Sequence, residues 1–204
     1  MKVDIHNYDR HLEYFLKKLD KVNSPNKDFI LKFVDRLFAE GLSKGRIAKY
    51  VYCLINIAKL LNKPFLEATK EDIEKVVGKI EKNESWSEWT KHEYKVVLRR
   101  FFKWLRNSED YPPEVKWIKI TRKKSFEKLQ GKILTLEEIE KLANVADNPR
   151  DKAFVLVLFE SGCRIGEFLP LKIKNLSFDK YGCVLIVSGK TGDRRIRLVA
   201  SYQH

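Results

Sequence analysis

Five apolar stripes at helical spacing follow one another through the first hundred residues, and this succession limits what the chain can become. From Tyr8, Leu12, Phe15, Leu16 and Leu19 recur at the 3.6-residue period, and Ile30, Phe33, Val34 and Leu37 repeat it after Ser24-Pro25. Gly41 closes the second run and Ser43 is placed to cap a third, in which Ile47, Val51, Leu54, Ile55, Ala58 and Leu61 draw one long stripe ended by Pro64. Thr69 with Asp72 reads as a helix start ahead of Ile73, Val76, Val77 and Ile80, with Gly78 weakening its end. Tyr94, Val97, Leu98, Phe101, Phe102 and Leu105 mark the strongest stripe of all. Helices that are apolar on one side must cover that side against each other, so residues 1–107 are expected to form a helical bundle.

After Arg106 the periodicity stops. Asn107-Ser108-Glu109-Asp110-Tyr111-Pro112-Pro113 is followed by Lys116, Lys119, Arg122, Lys123, Lys124 and Lys128, and adjacent prolines disfavour helix on both sides. Residues 108–131 therefore read as a basic interdomain linker. A second domain, residues 132–204, opens on the capping box Thr135-Leu136-Glu137-Glu138 before Ile139 and Leu142. Pro149-Arg150-Asp151 then starts a helix through Phe154, Val155, Leu156, Leu158 and Phe159 that is expected to be buried and to end at Ser161-Gly162. Arg164 to Leu169 is a short helix. Cys183 to Val187 and Ile196 to Val199 read as strands joined through Gly189-Lys190-Thr191-Gly192-Asp193, a β-hairpin with a flexible tip. The fold class is mainly α, a helical bundle followed by an α+β domain.

Composition limits the partners. The 204 residues are 44% apolar with nine Gly and six Pro, which excludes a disordered chain, and 41 Lys and Arg against 28 Asp and Glu leave a formal net charge of +13. Such a surplus favours a polyanion such as nucleic acid, although Lys- and Glu-rich proteins also carry charge as solvated surface. Lys91, Lys95, Arg99 and Arg106 flank the fifth stripe and, with Arg122, Lys123 and Lys124 of the linker, are candidate DNA contacts; the plainer reading is a solvated helix face and a passive tether. Tyr50, Tyr52, Trp86 and Trp89 fit either a stacking surface or the margin of the core. No signal peptide and no membrane-length apolar run is seen, so a cytoplasmic protein with no membrane partner is expected. Cys53, Cys163 and Cys183 form no Cys-x-x-Cys pair and read as small buried hydrophobes rather than zinc or disulfide ligands.

Three residues are placed to act on a phosphate. Arg164 follows the helix end at Gly162 and opens another helix, where a guanidinium and free backbone N–H groups converge on one anion. Glu167, three residues on, lies on the same helix face and would orient that guanidinium, and Lys190 sits at the hairpin tip. Taken singly, each is an ordinary surface charge. Taken in order, Ser161-Gly162-x-Arg164-x-x-Glu167-x-x-x-Leu171 and the Gly189-Lys190-Thr191-Gly192 turn resemble the first half of a tyrosine recombinase active site, and with Arg194-Arg195 opening the return strand the whole set resembles tyrosine recombinases and phage-type integrases of the Xer-like kind. The preceding helices resemble that family's SAM-like core-binding domain. The resemblance implies that Arg164 holds the non-bridging oxygens of a scissile phosphate, that Lys190 is the general acid for the departing 5′ oxygen, and that Glu167 orients the site. It further implies a tyrosine nucleophile forming a 3′-phosphotyrosine, no metal or other cofactor, and a tetramer acting on two DNA duplexes.

The sequence also departs from the family pattern. No His-x-x-Arg follows the hairpin; Tyr202 comes too early to match the nucleophile and reads as part of a connection, and His204 is not assigned to the missing motif. The expectation is a core-binding domain with the first, truncated part of a catalytic domain, monomeric off DNA, which binds double-stranded DNA and recombines it only in a longer form. Two alternatives stay open: a stand-alone DNA-binding or regulatory protein derived from an integrase, and a helical interaction module with incidental charge.

Overall fold

The computed structural model describes residues 5–120, 133–189 and 192–201. It is mainly helical with one small antiparallel sheet, and it divides into two compact units, one within residues 6–124 and one within residues 125–204.

The first unit contains α1 (Tyr8–Lys18), α2 (Asn26–Ala39), α3 (Lys44–Leu61), α4 (Lys70–Glu81), α5 (Glu88–Leu105) and α6 (Pro113–Lys116). Helix α3 is its centre: Ile47, Val51, Leu54 and Ile57 are fully buried, and α1, α2, α4 and α5 all pack on it. The predicted stripes supply most of this core, and Phe65, which lies outside them, joins Phe33 edge-on around Phe101. Helix ends are set by local chemistry. Gly41 and Asn62 adopt left-handed backbone after α2 and α3, and Thr69 with Asp72 forms a complete capping box. Lys63 and the Thr69 N–H, both donating to the Asp72 carboxylate, hold its pKa down at about 2. Ser43 occupies the N-cap position of α3, but its side chain makes no capping bond. The buried Asn26 side chain donates to the Lys63 carbonyl and accepts from the Phe65 N–H, satisfying two backbone groups where the chain leaves α3.

Part of the stretch expected to be a linker is folded into this unit. Pro113 stands in the first turn of α6, where a missing N–H costs nothing, and Val115 and Ile118 are buried in the helical core. Arg106 secures the segment by donating to the Glu114 carboxylate and to the carbonyls of Leu66 and Ala68. Arg122, Lys123 and Lys124 lie outside the described residues.

The second unit contains α7 (Leu136–Asn144), α8 (Pro149–Ser161), α9 (Ile165–Phe168), β1 (Leu176–Asp179), β2 (Gly182–Gly189) and β3 (Gly192–Leu198), the strands ordered β1-β2-β3. Thr135 and Glu138 cap α7 reciprocally and Asn148 caps α8. Strand β1 was not foreseen; Asp179 accepts from the Tyr181 N–H in the turn that joins it to β2. Cys163, Cys183, Leu185, Val187 and Leu198 form the core, with Val157, Leu158 and Phe168 against it. Contrary to expectation, no residue of α8 is fully buried. Its apolar residues occupy more than one side of the helix, and α7 and the sheet together leave each of them partly accessible. Among the described residues, no helix is long and apolar enough to cross a membrane. The three cysteines are buried free thiols, and burial pushes Cys53 up to about 12.

The end of β3 is held by one carboxylate. Glu160 of α8 accepts from the N–H groups of Val199 at 2.6 Å, Ala200 at 3.1 Å and Ser201 at 2.8 Å, and from the Ser201 hydroxyl. Burial alone would raise its pKa, but the Ser201 hydroxyl and these N–H groups outweigh it and bring it to about 2. Because the folded value lies below the ordinary 4.5, this stabilisation is complete above about pH 5 and disappears as pH falls toward 2. Glu160→Gln is expected to cost about 1–3 kcal/mol at neutral pH. Denaturant unfolding across the acid range checks it: the gap from wild type should narrow as pH falls, and a gap that stays constant contradicts the assignment.

Candidate functional site

The site begins where α8 stops. Gly162 takes the left-handed conformation that ends the helix, Cys163 anchors the turn in the core, and Arg164 becomes the N-cap of the single-turn helix α9. Glu167 reaches back over that turn. Its Oε2 accepts from the Arg164 N–H at 3.1 Å and its Oε1 from the Arg164 guanidinium at 2.9 Å. Of the backbone N–H groups expected to converge on an anion at this helix start, that of Arg164 is occupied by Glu167. A second guanidinium arrives from β3: Arg194 donates to Oε1 at 3.2 Å and to Oε2 at 2.8 Å. Strand register explains its reach. Arg194 lies opposite Val187, a fully buried residue, so both side chains stand on the face of the sheet that packs against the helices.

The exposures of the three side chains define the arrangement: Glu167 is 5% accessible, Arg164 69% and Arg194 38%. A buried carboxylate thus anchors two guanidiniums that face outward. The Arg164 N–H, followed by the Arg194 and Arg164 side chains, holds the Glu167 pKa below the usual carboxylate range against the opposing effect of burial. One negative charge between two positive ones leaves the cluster cationic at neutral pH, a suitable seat for phosphate oxygens.

The hairpin closes on the same carboxylate. Gly189, the last residue of β2, lies so near Glu167 that a methyl group built on its Cα would run into the carboxylate. Lys190, expected at the tip, lies outside the described residues, as do Tyr202 and His204. The structure therefore unites Arg164 with Glu167 and brings the strand preceding Lys190 to them. Sequence reasoning missed Arg194 as a member of the site, although a period-2 signal existed: Arg194, Ile196 and Leu198 alternate onto one face.

The basic flank of α5 is engaged within the protein. Lys91 donates to the Glu81 carbonyl and Lys95 to the Glu81 carboxylate at 2.7 Å, their side chains only 13% and 12% accessible. Arg106 holds α6 as described, and Arg99 stacks on the Tyr111 ring at 3.9 Å. Trp86 lies flat on the buried Tyr94, and Tyr50 is buried, so both belong to the core or its margin, whereas Tyr52 and Trp89 are exposed.

The chain is similar to several known proteins. Residues 132–202 match the phage integrase family. Tyrosine recombinase XerA of Pyrococcus horikoshii is 30% identical over 171 residues, covering 84% of this chain and 55% of the relative. Tyrosine recombinase XerA of Saccharolobus solfataricus is 26% identical over 191 residues, covering 88% of this chain and 62% of the relative. The chain thus spans less than two thirds of the length of these curated relatives. The solved structure of XerH site-specific recombinase bound to its difH substrate in a pre-cleavage complex shares the fold, with a TM-score of 0.57 at 16% identity over 99% of this chain and 67% of that one. The matched segment and these relatives support the tyrosine recombinase family for this chain.

The close approach of Gly189 to Glu167 has a measurable consequence. Gly189→Ala would force the carboxylate off both guanidiniums, and overpacking of this kind costs about 1–3 kcal/mol. Its denaturation midpoint should fall accordingly; a wild-type midpoint would mean that Glu167 yields without loss.

Proposed function

We propose that this chain binds double-stranded DNA and contributes the phosphate-holding half of a tyrosine site-specific recombinase active site. The observation that carries the reading is the exposed Arg164 guanidinium fixed on the buried Glu167 carboxylate, inside the segment that matches the phage integrase family. A guanidinium held in this way needs little reorganisation to accept the non-bridging oxygens of a phosphodiester and the charge that grows on them during transfer. Glu167 is the positioning group. Lys190, which follows Gly189, takes the part of the acid that protonates the departing 5′ oxygen. The reaction itself, attack by a tyrosine and storage of the bond as a 3′-phosphotyrosine, is proposed for a protein that also carries the nucleophile. For these 204 residues the proposed activity is duplex binding.

Charge supports the same reading, because a surplus of +13 favours a polyanion. The helical unit is proposed as the core-binding domain. Arg122, Lys123 and Lys124 are proposed to lie along the DNA backbone, in preference to Lys91, Lys95 and Arg106, whose donors already serve protein acceptors. A chromosomal or extrachromosomal duplex as substrate implies work in the cytoplasm. Pairing two such duplexes implies four protomers in the full reaction, with this chain monomeric off DNA.

Fluorescence anisotropy with a labelled duplex at about 50 mM and about 200 mM salt tests the proposal. Affinity should fall steeply with salt, and Arg164→Ala should weaken binding roughly tenfold while lowering the slope of log affinity against log salt by about one. Absent or salt-independent binding would contradict it.

A further inference from the structure

We infer that Arg194 is a second phosphate ligand of this site, a guanidinium from the return strand of the hairpin that holds DNA backbone oxygens together with Arg164. The inference rests on the reading of the site as a phosphodiester site and adds to it a residue from a different element.

The argument starts from what Glu167 needs. One buried carboxylate requires one compensating charge, and Arg164 already supplies that charge, a guanidinium bond and a backbone N–H. Arg194 is thus a second cation brought to an anion that the first has neutralised, and the surplus positive charge faces solvent. Both guanidiniums donate to the same oxygen, at 2.9 and 3.2 Å, so their Nη1 atoms are separated by no more than the sum of these distances. Two donor groups that close, held on a rigid base, suit the paired non-bridging oxygens of a phosphodiester.

The fork geometry points the same way. Arg194 meets Glu167 with its Nη1–Nη2 edge, one bond to each oxygen, which keeps its Nε edge out of that contact. A planar guanidinium can bind a carboxylate on one edge and a phosphate on another, which a lysine ammonium in the same place cannot reproduce. Backbone constraint limits where the group can go. Its register partner Val187 is buried, Glu167 is fixed by α9, and Gly189 lies so close to the carboxylate that no side chain fits between them. The bland reading, in which Arg194 only neutralises Glu167, makes a different prediction: its contribution to binding would vanish once Glu167 carries no charge.

A double-mutant cycle on the 204-residue chain separates the two, with affinity for a labelled duplex and its salt slope measured for wild type, Arg194→Ala, Arg194→Lys, Glu167→Gln and the Arg194→Ala/Glu167→Gln pair. Arg194→Ala should weaken binding about tenfold and lower the salt slope by about one, and the same loss should persist when Glu167 is Gln. Arg194→Lys keeps the cation and serves if the alanine variant fails to fold, as judged by its melting transition; it should still lose several-fold in affinity. Wild-type affinity in Arg194→Lys, or an Arg194→Ala loss that disappears with Glu167→Gln, overturns the inference while leaving the DNA reading standing. A wild-type chain that shows no salt-dependent binding overturns the DNA reading, and this inference with it.

Discussion

A carboxylate withdrawn from water remains ionised only if donors meet both its oxygens, and Glu167 has them: a backbone N–H and two guanidiniums. The rest of the site depends on this contact. It fixes the direction of Arg164, sets the register-defined Arg194 beside it, and leaves no room for a side chain at Gly189. Remove the carboxylate and two like-charged guanidiniums would face each other without a mediator. The same anion that lowers the local positive charge orients the two cations in advance, while strand register and the turn of α9 keep them near each other.

Ordinary folding chemistry delivers these groups. Gly162 ends α8 in a backbone conformation that most residues avoid, so the chain turns at once into α9, whose single turn is just long enough to bring Glu167 back over Arg164. Antiparallel pairing of β2 with β3 then delivers Arg194 at a distance of 27 residues in sequence from Glu167. Elsewhere in the same unit, Glu160 performs a related task for the backbone of residues 199–201. The buried Glu167 thus positions side chains for a ligand, and the partly accessible Glu160 secures the chain.

Where a structural signal is local, the residues announced it. The capping boxes at Thr69 and Thr135, the helix end at Gly162, the central stripe of α3 and the hairpin strands all arise from contacts within a few positions. The Arg164 and Glu167 pair was legible for the same reason. What escaped needs partners from afar. Glu81, which binds Lys95, lies 14 residues away, so a helix flank that looks free on a wheel is engaged in the fold. Pro112-Pro113 looked like a break, but the second proline starts α6 and its neighbours Val115 and Ile118 complete the helical core. Strand β1, Leu176-Ser177-Phe178-Asp179, is only four residues long, too short for its apolar–polar alternation to stand out, and α8 is apolar on several sides, so periodicity could not tell which side is covered. In the sequence Arg194 is only one half of a basic pair, because its role depends on the register with Val187.

The most direct measurement is an experimental structure of this chain bound to a DNA duplex. The account requires a backbone phosphate whose oxygens lie about 2.7–2.9 Å from the Arg164 guanidinium, with Glu167 still buried and still bonded to it. A complex in which the DNA lies against another surface, or in which Arg164 reaches phosphate only after Glu167 has let go, would contradict it.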